Sequence, residues 1–207
     1  LYLLFLAQIL KNTFEITSIK YKRKNRFRKD PLLKITAVRP EEYTHTGYDR
    51  GHLVPARDMN LFPVAREESF FMSNISPQLP RFNRGIWKKL ESEVWKIALR
   101  EKDLLIVTGP IWNNEKNETL TNTDIPTPVA FFKVIFDLTP PEKMIAFIIP
   151  HNASSKQLES FVMSVKHAEE LTGLNFFPEL PEERQKELES TLNINEWRLS
   201  NSRKIKL

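Results

Sequence analysis

The sequence predicts an α+β protein, with a mostly antiparallel central sheet flanked by helices. Three observations carry this. Apolar runs at 104–107, 129–136 and 144–149 have the length of buried strands, and Thr139-Pro140-Pro141 joins the last two as a turn joins hairpin partners. Two other stretches repeat apolar residues every three or four positions, as helices lying on a sheet do. Finally, 41% hydrophobic and 28% charged residues suit a chain with a sizeable core, while five glycines against fourteen prolines argue against a glycine-rich nucleotide-binding sheet.

Taken in order, Leu1 to Leu10 is apolar but interrupted by Gln8, and too short for the roughly 18–20 residues of a membrane span. It reads as a buried strand or as the stub of a signal segment. The strand is preferred, because no small-residue cleavage pattern follows. The chain opens on Leu1 rather than Met. The expectation is therefore that a targeting signal has been lost, with a secreted or periplasmic protein favoured and no membrane partner. Phe14 to Thr17 alternates as a strand does, and Asp30-Pro31 is a turn. Tyr43 to Tyr48 reads as loop, Leu53-Val54-Pro55 as a short strand stopped by proline, and Arg66 to Met72 as a short helix.

Asn74 to Phe82 reads as an extended connector. A strong helix then opens at Asn83, with Ile86, Leu90, Val94 and Ile97 on one face, and ends near Arg100. The strand at Leu104 to Val107 is stopped by Gly109-Pro110, and 111–127, rich in Asn and Thr, reads as a surface loop. A second amphipathic helix carries Leu158, Phe161, Val162, Val165, Ala168 and Leu171, with Gly173 just past its end. Residues 178–191 read as a last helix. The 207 residues make one domain, with a short basic tail at 201–207.

With no cysteine, disulfides, thiolate zinc sites and a cysteine nucleophile are excluded. Charge is uneven. Lys20 to Lys34 holds eight basic residues, Lys22, Lys24, Arg26 and Arg28 among them, and one acid, Asp30. That segment is +7, against +5 for the whole chain. It reads either as a footprint for a polyanion or as a solvated loop.

His45, His151 and His167 read as ordinary surface residues. His52 differs because of its neighbours, Asp49-Arg50-Gly51-His52. A glycine lets a ligand approach the backbone. Arg50 offers a planar fork for phosphate oxygens. Asp49 is placed to orient the imidazole, which is neutral and basic near its ordinary pKa of about 6.5. A satisfied structural network is the other reading of these residues. No carboxylate cluster or P-loop is present, so a hard cation would use few protein oxygens and keep most of its waters, as magnesium tolerates. Asn83 could supply one amide oxygen or be a plain helix cap.

Together these residues resemble one family. Asp49-Arg50-Gly51-His52-Leu53-Val54-Pro55-Ala56 is similar to the signature of the DNA/RNA non-specific endonucleases, the group that includes mitochondrial endonuclease G. Ser73-Asn74-Ile75-Ser76-Pro77-Gln78, Phe82-Asn83-Arg84-Gly85-Ile86-Trp87 with Leu90-Glu91, Val107-Thr108-Gly109-Pro110 and the stretch 171–178 also fit. The resemblance covers roughly residues 12–190. It implies a ββα-metal fold, in which two antiparallel strands and a helix bracket one cation.

The resemblance further implies His52 as general base, Asn83 as direct ligand of one Mg2+ (Mn2+ substituting), and Glu91 on metal-bound waters. Asn74 supports the site and Arg50 meets the phosphate. Lys22, Lys24, Arg26, Arg28 and Arg84 are the candidate nucleic-acid contacts, and a homodimer is plausible. Trp95 departs from the family, which often has an arginine there, and the upstream clamping arginine is either Arg26 or Arg28. Eight residues of straight helix rise about 12 Å, so Glu91 shares an inner shell with Asn83 only if the helix start bends. The implied activity is metal-dependent hydrolysis of DNA or RNA to 5′-phosphate products. The rivals are a specific nuclease with the same site and a basic nucleic-acid-binding protein with a relic one.

Overall fold

The computed structural model describes residues 6–11, 26–33, 38–60, 62–113, 115, 117–153 and 157–200. The strand expected at Phe14 to Thr17, Lys22, Lys24 and the tail at 201–207 lie outside them. The strands are β1 (Leu6–Lys11), β2 (Asp49–His52), β3 (Ile75–Gln78), β4 (Asp103–Ile111), β5 (Ala130–Asp137), β6 (Lys143–Pro150) and β7 (Val162–Met163). The α-helices are α1 (Pro63–Glu68), α2 (Lys88–Arg100), α3 (Val165–Thr172) and α4 (Glu182–Ser190). Five strands form an antiparallel sheet in the order β1-β4-β5-β6-β7, and β2 and β3 form a separate antiparallel pair.

Every residue of β5 is buried, because both faces of the sheet are covered. This is why its apolar residues run on instead of alternating with polar ones. Side chains still alternate between faces. Phe131 and Ile135 join Leu104, Ile106, Ile145 and Phe147 under Trp87, Leu90, Val94 and Ile97 of the helix carrying α2. Phe132, Val134 and Phe136 face the other way, toward Val165 and Ala168 of α3, Phe176, Phe177 and Leu188. Each of these large side chains contributes about 1.5–3 kcal/mol by leaving water. The helix carrying α2 is thereby fastened to the sheet along its length.

Several elements differ from the sequence expectation, for tertiary reasons. β4 runs on through Gly109 and Pro110. Among the described residues β1 pairs only with 103–108, so Pro110 has a strand neighbour on one side, where a missing N–H is tolerated. The expected helix over 158–171 begins only at Val165. Leu158–Phe161 is a 3-10 turn, and β7 breaks away to pair with β6. Ser164 then caps α3 by accepting from the His167 N–H, and Gly173 ends it at φ 70°.

The first strand of the small pair is Asp49–His52, ahead of Leu53-Val54, and the expected connector 74–82 contains its partner, β3. The short helix is Pro63–Glu68 and the last is Glu182–Ser190. Of the loop expected at 111–127, Ile111 closes β4 and the described residues beyond it are irregular save for a bridge between Thr119 and Pro126, while Leu120 and Ile125 fold inward onto Tyr43, Met72 and Ile75. Among the described residues no helix is long and apolar enough to cross a membrane.

Candidate active site

The β2–β3 pair and the segment leading into α2 bring the predicted residues together. Gly51 sits opposite Ser76, and a Cβ there would collide with the buried Gln78 side chain. The glycine is thus needed for close packing of the two strands, and the approach it permits is by Gln78, not by a ligand. Asn74 ends the 3-10 turn before β3. Its buried amide accepts from the Val54 N–H at 2.9 Å and donates to the carbonyls of Val54 (2.9 Å) and Ser69 (2.8 Å). This fixes the chain as it leaves His52.

His52 lies against two aromatic rings, Phe70 edge-on at 5.0 Å and Phe27 at 5.5 Å between centroids. Its Nε2 is buried and has no hydrogen-bond partner among the described residues. Burial pushes its pKa down to about 4. The ring is therefore neutral, and able to take a proton, from mildly acid pH upward.

Asp49 does not orient His52. Its carboxylate accepts from Arg84 (Nη2 2.6 Å, Nε 2.9 Å) and from the Asn83 amide at 2.9 Å. Burial would raise its pKa, but the hydrogen bonds from Arg84 and Asn83, with the Arg84 charge, hold it below the ordinary carboxylate value. Alternating side chains explain the miss. Three positions along a strand, Asp49 and His52 point to opposite faces.

Asn83 is not a helix cap either. Helical backbone already begins at 80, and Phe82–Trp87 forms a π turn with Gly85 at φ −102°, ψ −108°, before regular helix resumes. The start of this helix therefore does bend, as π segments at functional sites often do. Because the Asn83 nitrogen donates to Asp49, its oxygen is turned away from that contact.

Arg50 donates to the Pro40 carbonyl from Nη2 (2.5 Å) and Nε (3.0 Å), and lies over Phe27 and Tyr43. Glu91 is half-buried on α2. Burial pushes its pKa up to about 7, against the opposing charges of Lys133, Arg57 and Lys88, while Asp58 adds to the rise. Lys133 was not singled out from the sequence. It is 1% exposed in mid-β5, donates to the Thr108 hydroxyl at 2.6 Å and lies 5.2 Å from the Trp87 ring centroid. Burial lowers its pKa, and Glu91 and Asp58 oppose this. The available signal was a lone lysine in the run Phe131-Phe132-Lys133-Val134-Ile135.

Of the basic candidates, Arg84 is 72% exposed yet paired with Asp49, Arg28 covers the Phe71 ring at 4.5 Å, and Arg26 is exposed. Lys22 and Lys24 fall outside the described residues. His151, expected at the surface, is instead buried. Its Nε2 accepts from the Leu79 N–H at 2.7 Å, so its Nδ1 is the protonated nitrogen and donates to the Pro128 carbonyl at 2.8 Å. It ties the approach to the π turn onto the sheet.

Among the described residues no three His, Cys, Asp or Glu side chains cluster to hold a metal. Asn83 offers one amide oxygen and Glu91, on the same helix, one half-buried carboxylate. That donor set fits a hard cation which keeps most of its waters, and fits a zinc or calcium cage poorly.

A family model described as DNA/RNA non-specific endonuclease matches residues 5–183. "Nuclease 1, mitochondrial" of Schizosaccharomyces pombe is 31% identical over 190 residues, covering 81% of this chain and 59% of that protein. "Nuclease EXOG, mitochondrial" of Xenopus laevis is 28% identical over 198 residues, covering 88% and 55%. The chain thus spans little more than half the length of these relatives. A crystal structure of the EndoG/EndoGI complex has a TM-score of 0.75 at 23% identity, covering 89% of this chain and 80% of that one. The fold is the expected ββα-metal arrangement. The mitochondrial names do not match the favoured export.

Proposed function

From the premise that this chain belongs to the DNA/RNA non-specific endonuclease family, we propose that it is a metal-dependent phosphodiesterase acting on DNA or RNA, with 5′-phosphate products. The observation that carries the reading is the hydrogen bond that the Asn83 amide, before α2, donates to Asp49 on β2. It joins the strand ending in His52 to the helix bearing Glu91, and it fixes one amide so that its oxygen is presented elsewhere.

In this reading neutral His52 removes a proton from water as the water oxygen attacks phosphorus. The bond from phosphorus to the 3′-oxygen breaks, the phosphate stays on the 5′ side, and the 3′-oxygen leaves as an alkoxide that takes a proton from solvent. Arg50, fixed by Pro40 and the rings beneath it, offers remaining N–H groups to a phosphate oxygen. Asn83 holds the cation, with Glu91 on its waters; Mg2+ is the expected ion, and Mn2+ a substitute. When bound, such an ion neutralises non-bridging charge and stabilises the leaving oxygen. Little sequence preference is expected, because phosphate contacts carry no base information. Arg26, Arg28, Lys22 and Lys24 lengthen the grip on the backbone. The compartment in this reading is mitochondrial, supported by the names of the relatives, and the protein is a homodimer, which sedimentation velocity tests.

Plasmid nicking with added Mg2+, with and without EDTA, is the test. Relaxed and then linear DNA that appears only without chelator is the expected result. Binding without any cleavage returns the protein to a nucleic-acid-binding module with a relic site. Degradation of random DNA and RNA alike separates it from a specific nuclease.

A further inference from the structure

Arg57 lies in the turn that follows His52, between the Asp58 N–H bonded to the Pro55 carbonyl and the Asn60 N–H bonded to the Arg57 carbonyl. Its side chain is exposed, yet it is not loose, because the guanidinium carbon lies 4.3 Å from the centroid of the Trp95 ring. Stacking on an indole face holds a guanidinium flat and leaves the N–H groups at its rim pointing outward. Among the described residues no ion pair or side-chain hydrogen bond engages that rim. The contrast is with Arg84, bound to Asp49, and Arg50, bound to Pro40.

Position gives this fork a direction. Trp95 follows Glu91 by four residues on α2, so the two share one face of the helix, about 6 Å apart along its axis. The Arg57 charge is felt at Glu91. A planar cation whose donors meet no side-chain partner among the described residues, pre-set near the Glu91 carboxylate, suits an oxyanion that arrives with the substrate.

We infer that Arg57, held on Trp95, binds a phosphate of the nucleic-acid backbone next to the one being cleaved. The inference rests on the nuclease reading for its substrate, and it adds a positioning residue to it. Arg57 sets the register of the strand over the site, and Trp95 sets Arg57. Removing either leaves His52, Asn83 and Glu91 in place.

The test compares wild type, Arg57→Ala, Arg57→Lys and Trp95→Ala, with melting curves to establish that each is folded. Binding to a short labelled DNA duplex is followed in EDTA across a salt series, where no cleavage intervenes. Arg57→Ala should flatten the slope of log affinity against log salt by about 0.9, the loss of one phosphate contact. Arg57→Lys should keep most of the slope, since the charge remains. Trp95→Ala should weaken binding through a fork no longer held in place. In cleavage with Mg2+, Arg57→Ala should raise KM roughly tenfold, more than it lowers kcat, as loss of a charged hydrogen bond to substrate does. An unchanged salt slope overturns the proposal, as does a fall in kcat with KM unmoved. Failure of the wild type to cleave DNA overturns the nuclease reading instead, while the slope in EDTA still decides whether Arg57 holds phosphate.

Discussion

His52 and Glu91 are both half-buried, yet they sit in opposite kinds of surroundings. The histidine lies among Phe27 and Phe70, and desolvation by burial accounts for its shift to about 4. The glutamate lies among Lys133, Arg57, Lys88 and Asp58, and burial and charge contend over its proton near pH 7. An apolar surrounding removes any choice, so the imidazole is neutral across the whole physiological range. A charged surrounding leaves a choice, so the carboxylate responds to what comes near it. The imidazole is fixed in one state, and the carboxylate stays adjustable.

The largest effect should come from deleting the fixed member. His52→Ala should lower turnover by about 10²–10⁴-fold, the usual contribution of general acid–base catalysis, with substrate binding retained. Single-turnover kinetics across an Mg2+ titration is the measurement, and extra Mg2+ should restore nothing. Asn83→Ala acts on the other side of the comparison. It should show a comparable loss at low Mg2+ and partial recovery as the ion is raised. Recovery of His52→Ala by Mg2+ would collapse the distinction.

A smaller effect is expected from Lys133→Met, which keeps the length of the side chain and removes the buried charge. Glu91 would then hold its proton to higher pH, and ion affinity near neutrality should fall by about tenfold, as changes behind a metal ligand do. In the wild type, ion affinity should fall as pH drops below about 7, because protonated Glu91 competes with the ion. Calorimetric titration with Mg2+ at several pH values follows both. Flat affinity from pH 6 to 8 in the wild type would contradict the charged description of Glu91.

The mildest change is Phe70→Ala, which admits water to His52. Its pKa should climb from about 4 toward the ordinary value of about 6.5, and the acid limb of the rate profile should move with it. The same histidine links pH to stability. Its folded pKa is depressed, so the unfolded chain binds more protons between about 6.5 and about 4, and stability falls as pH drops through that window. Thermal melts of wild type and Phe70→Ala from pH 4 to 8 should show a shallower fall in the variant.

Much of this was legible in the chain itself. The three-to-four spacing over 86–97 exposes the covering helix, and the apolar runs at 129–136 and 144–149 expose the sheet, because a strand covered on both faces carries no polar side. The cluster around His52 and Asn83 was legible as a pattern of residue types. What was hidden depends on partners far along the chain. Asp49 turns to Arg84, His151 is buried by the segment around Leu79, and the 158–163 stretch gives up helix to pair with β6. Lys133 was hidden for another reason. A charge in a strand is read as exposure until something across the core is found to answer it, here Thr108, Glu91 and Asp58.

The collision between position 51 and Gln78 also has an evolutionary reading. A single substitution at Gly51, even to alanine, forces the buried Gln78 side chain to move, so one-step drift here is costly while Gln78 stands. Shrinking position 78 first opens the path, at the expense of a cavity beneath β2. Position 51 should accept new residues only in lineages where position 78 has already become small. A library randomised at both codons should return Gly51 with large residues at 78, and alanine or serine at 51 only beside small ones.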